Sequence, residues 1–162
     1  LPEIFCNTSP LQYLHQIGQL DLLPRLVQRI AIPTAVADEL AAGRRLGLDL
    51  PVPETLSWID IHRPRSDAAV LRLAADLGYG ETAVIALALE STNAVLILDD
   101  DLARRHAEVL GLRLTGTLGV LLDAKRAGLV ADVKPLINEL QALGFRLSGR
   151  TREGVLRLAG EA

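Results

Sequence analysis

Apolar and polar residues alternate along the chain in two rhythms, one of strand length and one of helical length. Glu3–Cys6 reads as a short first strand; Leu11, Leu14 and Ile17 then recur at three-residue spacing, the mark of a buried helix face. Ser9 and Pro10 predict the start of that helix, because a hydroxyl caps free backbone N–H groups and proline tolerates the first helical position. Gly18 predicts its end. A second helix is expected over 20–28, a strand over 29–32, and a third helix from Pro33 through Leu40 to Gly43. Residues 44–53, with Gly47, Pro51 and Pro53, read as a loop, and 58–62 alternate like a half-buried or edge strand. Ser66 and Asp67 predict the cap of a helix ending at Gly78, and Gly80 leads into another over 81–90, closed by Asn93. The run 94–98 is apolar throughout and ends in Asp99, Asp100 and Asp101. A helix follows to Leu110, stopped by Gly111; then come a strand over 112–114 and helices over 118–127, 134–143 and 151–159. Strands separated by helices predict parallel pairing in an α/β sandwich.

Composition narrows this picture. A chain of 162 residues with 49% apolar side chains suits one domain with a sizeable core. Only 3% are aromatic, so the core is aliphatic, and binding of nucleic acid by ladders of stacked rings is disfavoured. A net charge of -3 excludes a generally basic, phosphate-coating protein but leaves room for a local basic stripe, for which Arg44, Arg45, Arg104 and Arg105 are candidates. The lone cysteine, Cys6, offers neither an internal disulfide nor a zinc-type cluster. No apolar run reaches membrane-helix length and no signal peptide is visible, so the expectation is a soluble cytoplasmic protein with no membrane association.

In parallel α/β sheets ligands bind beyond the carboxyl ends of the strands, so side chains at strand-to-helix junctions are the candidates for chemistry. Asn7 follows the first strand, Asp99–Asp101 follow the apolar one, Glu81 opens a helix, and Glu39 flanks the buried stripe of another. Brought together they would form a carboxylate pocket without histidine. Crowded carboxylates repel, and a divalent cation such as Mg²⁺ or Mn²⁺ relieves this while accepting phosphate oxygens. Each residue also has a plainer role. Glu81 complements a helix dipole, one Asp of the three caps a helix, Ser9 is a cap, and Glu39 is a solvated helix residue. His15, His62, His106 and Trp58 read as structural, and Cys6 as an inert core thiol.

The stretches Phe5-Cys6-Asn7-Thr8-Ser9-Pro10-Leu11, Val36-Ala37-Asp38-Glu39-Leu40, Gly78-Tyr79-Gly80-Glu81-Thr82-Ala83 and Leu96-Ile97-Leu98-Asp99-Asp100-Asp101-Leu102-Ala103-Arg104 together resemble the PIN-domain family, in a VapC-like, toxin-type branch of unknown function. Leu114-Thr115-Gly116-Thr117-Leu118 and the tail from Lys134 to Arg146 resemble the same branch. The resemblance implies a three-layer α/β/α sandwich with a parallel sheet of four to five strands. It divides the chain into a PIN-like domain over 1–130 and a helical extension over 131–162 packed on it. It implies a Mg²⁺- or Mn²⁺-dependent ribonuclease, the toxin of a toxin–antitoxin pair, with RNA as substrate, a small antitoxin protein as partner, and a homodimer as assembly. Carried over by position, Glu39, Glu81 and Asp100 are the catalytic acids. Asn7, Glu39, Glu81, Asp99 and Asp100 are the metal set, with Asp101 as a neighbour, and Ser9, Arg104 and Arg105 border the substrate. Asn7 stands where the family has its first Asp. An amide oxygen can coordinate a cation but brings no charge and cannot act as a base. The alternative reading is therefore a catalytically impaired PIN-like protein that binds RNA or a protein partner without cutting.

Overall fold

The computed structural model describes residues 1–65 and 77–162. The helix expected from Ser66 lies in the stretch outside the described residues. The elements run β1 (Glu3–Cys6), α1 (Thr8–Gln16), α2 (Leu22–Val27), β2 (Ile30–Pro33), α3 (Thr34–Arg45), a 3₁₀ turn (Pro53–Thr55) and β3 (Ile59–His62). Then follow α4 (Tyr79–Leu89), β4 (Ala94–Ile97), α5 (Asp101–Val109), β5 (Arg113–Thr115), α6 (Thr117–Arg126), α7 (Lys134–Ala142) and α8 (Gly149–Leu158).

Five parallel strands form one sheet in the order β3-β2-β1-β4-β5, with Cys6 opposite Ile97 and Ile97 opposite Thr115. Successive strand side chains point to opposite faces, and the core divides accordingly. Ile4, Cys6, Ile30, Ile32 and Ile97 pack in one cluster with α1, α2, α3, α6, α7 and α8. Phe5, Leu96 and Leu98 pack in the other with α4 and α5. The result is the parallel α/β sandwich expected from the pattern, in the three layers that the resemblance implies. Leu11, Leu14, Leu40 and Leu121 are wholly buried, each contributing about 1.5–3 kcal/mol of apolar burial.

Several boundaries differ from the pattern, each for a local reason. Helix α1 begins at Thr8 with Asn7 in the extended cap position, so Ser9 is released from capping. Pro33 ends β2 in extended geometry and α3 begins after it, running past Gly43 to Arg45. Gly43 lies within the helix because a Cβ there would strike Leu50 of the returning loop. Helix α4 starts two residues before Glu81, and Gly80 through Ala88 are buried apart from Glu81. A helix apolar nearly all round belongs inside the protein, and α4 indeed contacts α3 as well as the sheet.

Candidate functional site

The strand order changes direction between β1 and β4: β2 and β3 extend the sheet on one side of β1, β4 and β5 on the other. The crevice beyond the carboxyl ends of β1 and β4 is the topological switch point, where sheets of this kind bind ligands. Asn7 continues β1 into that crevice, its N–H bonded to Ile97 O, and Leu98 continues β4, its N–H bonded to Thr115 O. Asn7 and Asp99 thus stand at the two lips.

Asn7 is 4% exposed, and its Oδ1 is buried with no hydrogen-bond partner among the described residues. An unpaired buried amide oxygen costs about 1–3 kcal/mol unless a ligand or water meets it. Thr8 and Ser9 then connect two acidic groups. The Thr8 hydroxyl faces Glu39 without closing a hydrogen bond of good geometry. Ser9 Oγ donates to Asp99 Oδ2 at 3.3 Å.

The first group is the pair Glu39 on α3 and Glu81 on α4. Glu39 is open to solvent on one side, yet its carboxyl is held above the usual range, chiefly by burial and then by the charge of Glu81, with Thr8 pulling the other way. The two helices meet closely here because Gly80 is glycine: a Cβ at that position would overlap Glu39 Oε1. Gly78 gives the same clearance to Glu81 Oε2.

The second group is centred on Asp99. Its Oδ1 accepts from Thr117 N at 2.8 Å and its Oδ2 from Thr117 Oγ1 at 2.6 Å, joining the end of β4 to the start of α6. Behind it Cys6 is fully buried; its thiol is pushed well up, first by burial and then by the Asp99 charge, and is therefore inert. Arg104 Nη1 donates to Leu98 O at 2.6 Å and Thr115 O at 3.0 Å, clamping the ends of β4 and β5. A Cβ at Gly116 would lie 2.8 Å from Asp99 Oδ1, so a larger residue there would displace the carboxylate.

The structure gives the three aspartates, of which the sequence expectation put Asp100 foremost, three different surroundings. Asp100 is exposed, and its Oδ2 accepts from Ala103 N at 2.9 Å as the N-cap of α5. Asp101 lies in the first turn of that helix. Asp99, one residue earlier, faces the crevice beside Ser9 and Thr117. Arg105 is exposed on α5, its Nε near Asp101 O, apart from the Arg104 clamp. Arg44 is spent on Pro51 O at 2.6 Å. Sequence reasoning missed Thr8, Gly80 and Thr117 as parts of the site. The Thr115–Thr117 turn was visible as a helix start, but nothing in the pattern said that an acid 18 residues before Thr117 would use it.

Among the described residues no three His, Cys, Asp or Glu side chains come together to hold a metal ion by themselves. The donors at hand are instead the Glu39–Glu81 pair and the free Asn7 Oδ1. That set fits a small hard cation, since Mg²⁺ typically takes one or two carboxylates and completes its shell with water and substrate phosphate.

A parallel α/β sandwich with an acidic pair and a hydroxyl-anchored aspartate at its switch point belongs to the class of open-sheet α/β domains with their candidate site beyond the carboxyl ends of the strands. More particularly, the chain belongs to the PIN-domain family: a family model described as a PIN domain, of unknown function, matches residues 3–161. The PIN domain is a nuclease fold, and its members in general depend on divalent metal and bind RNA. No curated protein and no solved structure matches the chain. No helix among the described residues is long and apolar enough to cross a membrane.

Proposed function

We propose that the protein is a Mg²⁺- or Mn²⁺-dependent ribonuclease that hydrolyses RNA phosphodiester bonds at the Glu39–Glu81 crevice. The observation that carries this reading is the pairing of two carboxylates across a glycine gap, which raises Glu39 by burial and repulsion, beside the partnerless Asn7 Oδ1. A bound divalent cation there would supply Lewis-acid polarisation of the phosphate and a water of lowered pKa. Glu39 and Glu81 hold the charge that attracts the cation, and Asn7 adds a neutral oxygen. Glu39, whose carboxyl is raised by burial and by the neighbouring charge, accepts the proton of the attacking water at its carboxylate. Asp99, held by Thr117 and Ser9, keeps a fixed negative charge at the opposite lip and orients the leaving side of the substrate. Asp100, assigned to the helix cap, takes no part.

The test is cleavage of single-stranded RNA by purified protein with Mn²⁺ and with EDTA. Cutting should need the metal and fall at least about 100-fold in Glu39→Gln and Glu81→Gln. Cutting in EDTA, or cutting at the wild-type rate in either variant at the same Mn²⁺ concentration, sinks the reading. The second reading, RNA or partner binding without cleavage, is favoured by Asn7 itself, an uncharged residue at the lip; it predicts binding without cutting in the wild type and cutting in Asn7→Asp. The toxin role, the small antitoxin and the homodimer rest on the motif resemblance. A short overlapping upstream reading frame, and a dimer mass by light scattering, are the observations that support them; a solitary gene and a monomer count against them.

A further inference from the structure

A cavity of about 550 Å³ opens beside Asp99, between the start of α6 and the segment leading into α8. Its size falls within the range of about 300–1,000 Å³ typical of pockets for small organic ligands. Glu39 and Glu81 do not line it, so it adjoins the acidic pair rather than repeating it. Its wall is of three kinds, apolar, basic and acidic, the last from the carboxylates of Asp99 and Asp101. Leu114, Leu118, Leu122 and Phe145 give an apolar floor, and the Phe145 ring is held edge-on by Tyr13 with centroids 5.1 Å apart. Arg104 and Arg146 supply positive charge. Arg104 spends Nη1 on backbone carbonyls, leaving its other nitrogens without partners among the described residues, and Arg146 is exposed with no ion pair among them. Thr151, on the first turn of α8 and capped by Ser148, sits in the same wall.

We propose that this cavity is the subsite for one nucleotide of a single-stranded RNA adjoining the scissile phosphate; the inference rests on the ribonuclease reading above. The apolar floor takes the base, and the arginines take its phosphates, Arg104 on the side of Asp99 and Arg146 at the exposed rim. Continuity with Asp99 and the make-up of the wall select this occupant: a flat aromatic group bearing phosphate matches an apolar floor flanked by two arginines, of which Arg146 has no ion pair among the described residues. An enclosed base must first leave its stack, which selects single strands over duplex. The tail around Phe145 and Arg146, together with α8, thereby becomes part of the substrate site rather than a scaffold.

The test is anisotropy binding of a fluorescein-labelled single-stranded RNA hexamer of mixed sequence, in EDTA so that nothing is cut, at several salt concentrations. Arg146→Ala should weaken binding about tenfold and lower the slope of log affinity against log salt by about one. Thr151→Trp, an exposed substitution that plugs the cavity, should weaken binding about as much with the slope unchanged. Both variants should hydrolyse bis(p-nitrophenyl) phosphate with Mn²⁺ at the wild-type rate, because that small ester needs no subsite. Wild-type affinity in both variants overturns the subsite and leaves the nuclease reading standing, and so does a wild-type protein that cuts RNA but has no measurable affinity for the hexamer. A wild type that binds the hexamer through these residues, yet hydrolyses neither RNA nor ester with Mn²⁺, upholds the subsite and overturns the nuclease reading.

Discussion

One residue of offset separates a helix cap from a site acid in the run Asp99-Asp100-Asp101. The cap must stand where its carboxylate reaches the N–H three residues on, and Asp100 does so at Ala103. Asp99 is left to turn back over the end of β4 toward Ser9 and Thr117. The two substitutions should therefore separate cleanly. Asp100→Ala loses a cap worth about 1 kcal/mol, read as a Tm drop of about 2–4 °C, with RNA cleavage kept. Asp99→Asn keeps the shape and should lower cleavage by at least about tenfold. Equal loss of cleavage in both would return Asp100 to the site. Gly80→Ala is the companion case: the new methyl displaces the Glu39 carboxylate, which can swing away, so Tm should hardly move while cleavage falls on the order of 100-fold. From sequence, Asn7 and Glu81 stood out as candidates at the ends of elements, and Glu39 as an acid flanking the buried stripe of α3. The choice among three aspartates was not, since capping and ligation call for the same residue type. Ser9 was read as a cap for the same reason, and only the start of α1 at Thr8 frees it.

Elements were legible where their rhythm was unmixed. The apolar run 94–98 and the triad Leu11, Leu14, Ile17 gave β4 and α1 to within a residue or two. Helix α4 is harder to bound, because a stretch buried on all sides has no polar face to mark its ends. How the end of α8 is fastened was also out of reach, since that turns on one side chain. Glu161 beyond α8 accepts from Lys125 Nζ at 2.9 Å, Val133 N at 2.8 Å and Lys134 N at 2.9 Å, tying the α8 end to α6 and the start of α7. Burial pushes its carboxyl up, but the hydrogen bonds and the Lys125 charge outweigh that and hold it below the usual range. Its folded value is depressed, so its stabilisation is present above the ordinary glutamate value of 4.5 and is lost as pH falls through the folded value. Glu39 runs the other way: its folded value is raised, so its contribution is complete below 4.5 and is lost as pH rises through the folded value. In EDTA, Glu39→Gln should remove the decline of Tm on the alkaline side of 4.5, and Glu161→Gln the decline on the acid side. Thermal melts from about pH 3 to 8 check both. A Glu161→Gln profile that still matches the wild type on the acid side would contradict the anchoring role.

At the scale of the whole molecule, the net charge of -3 understates how unevenly charge is placed. Glu39, Glu81 and Asp99 gather at one end of the sheet, while Arg104 and Arg146 line the cavity next to Asp99. The aliphatic core explains why so few aromatics suffice, and Phe145 is retained at the cavity wall. The most direct test of the account is the rate of RNA cleavage as a function of Mn²⁺ concentration for wild type, Glu81→Gln and Asn7→Asp. If Asn7 is a neutral ligand beside an acidic pair, wild-type cleavage saturates with Mn²⁺, Asn7→Asp saturates at lower Mn²⁺, and Glu81→Gln needs at least about tenfold more. A wild type that stays silent at every Mn²⁺ concentration, or a Glu81→Gln curve superimposed on the wild type, would contradict the metal-dependent ribonuclease.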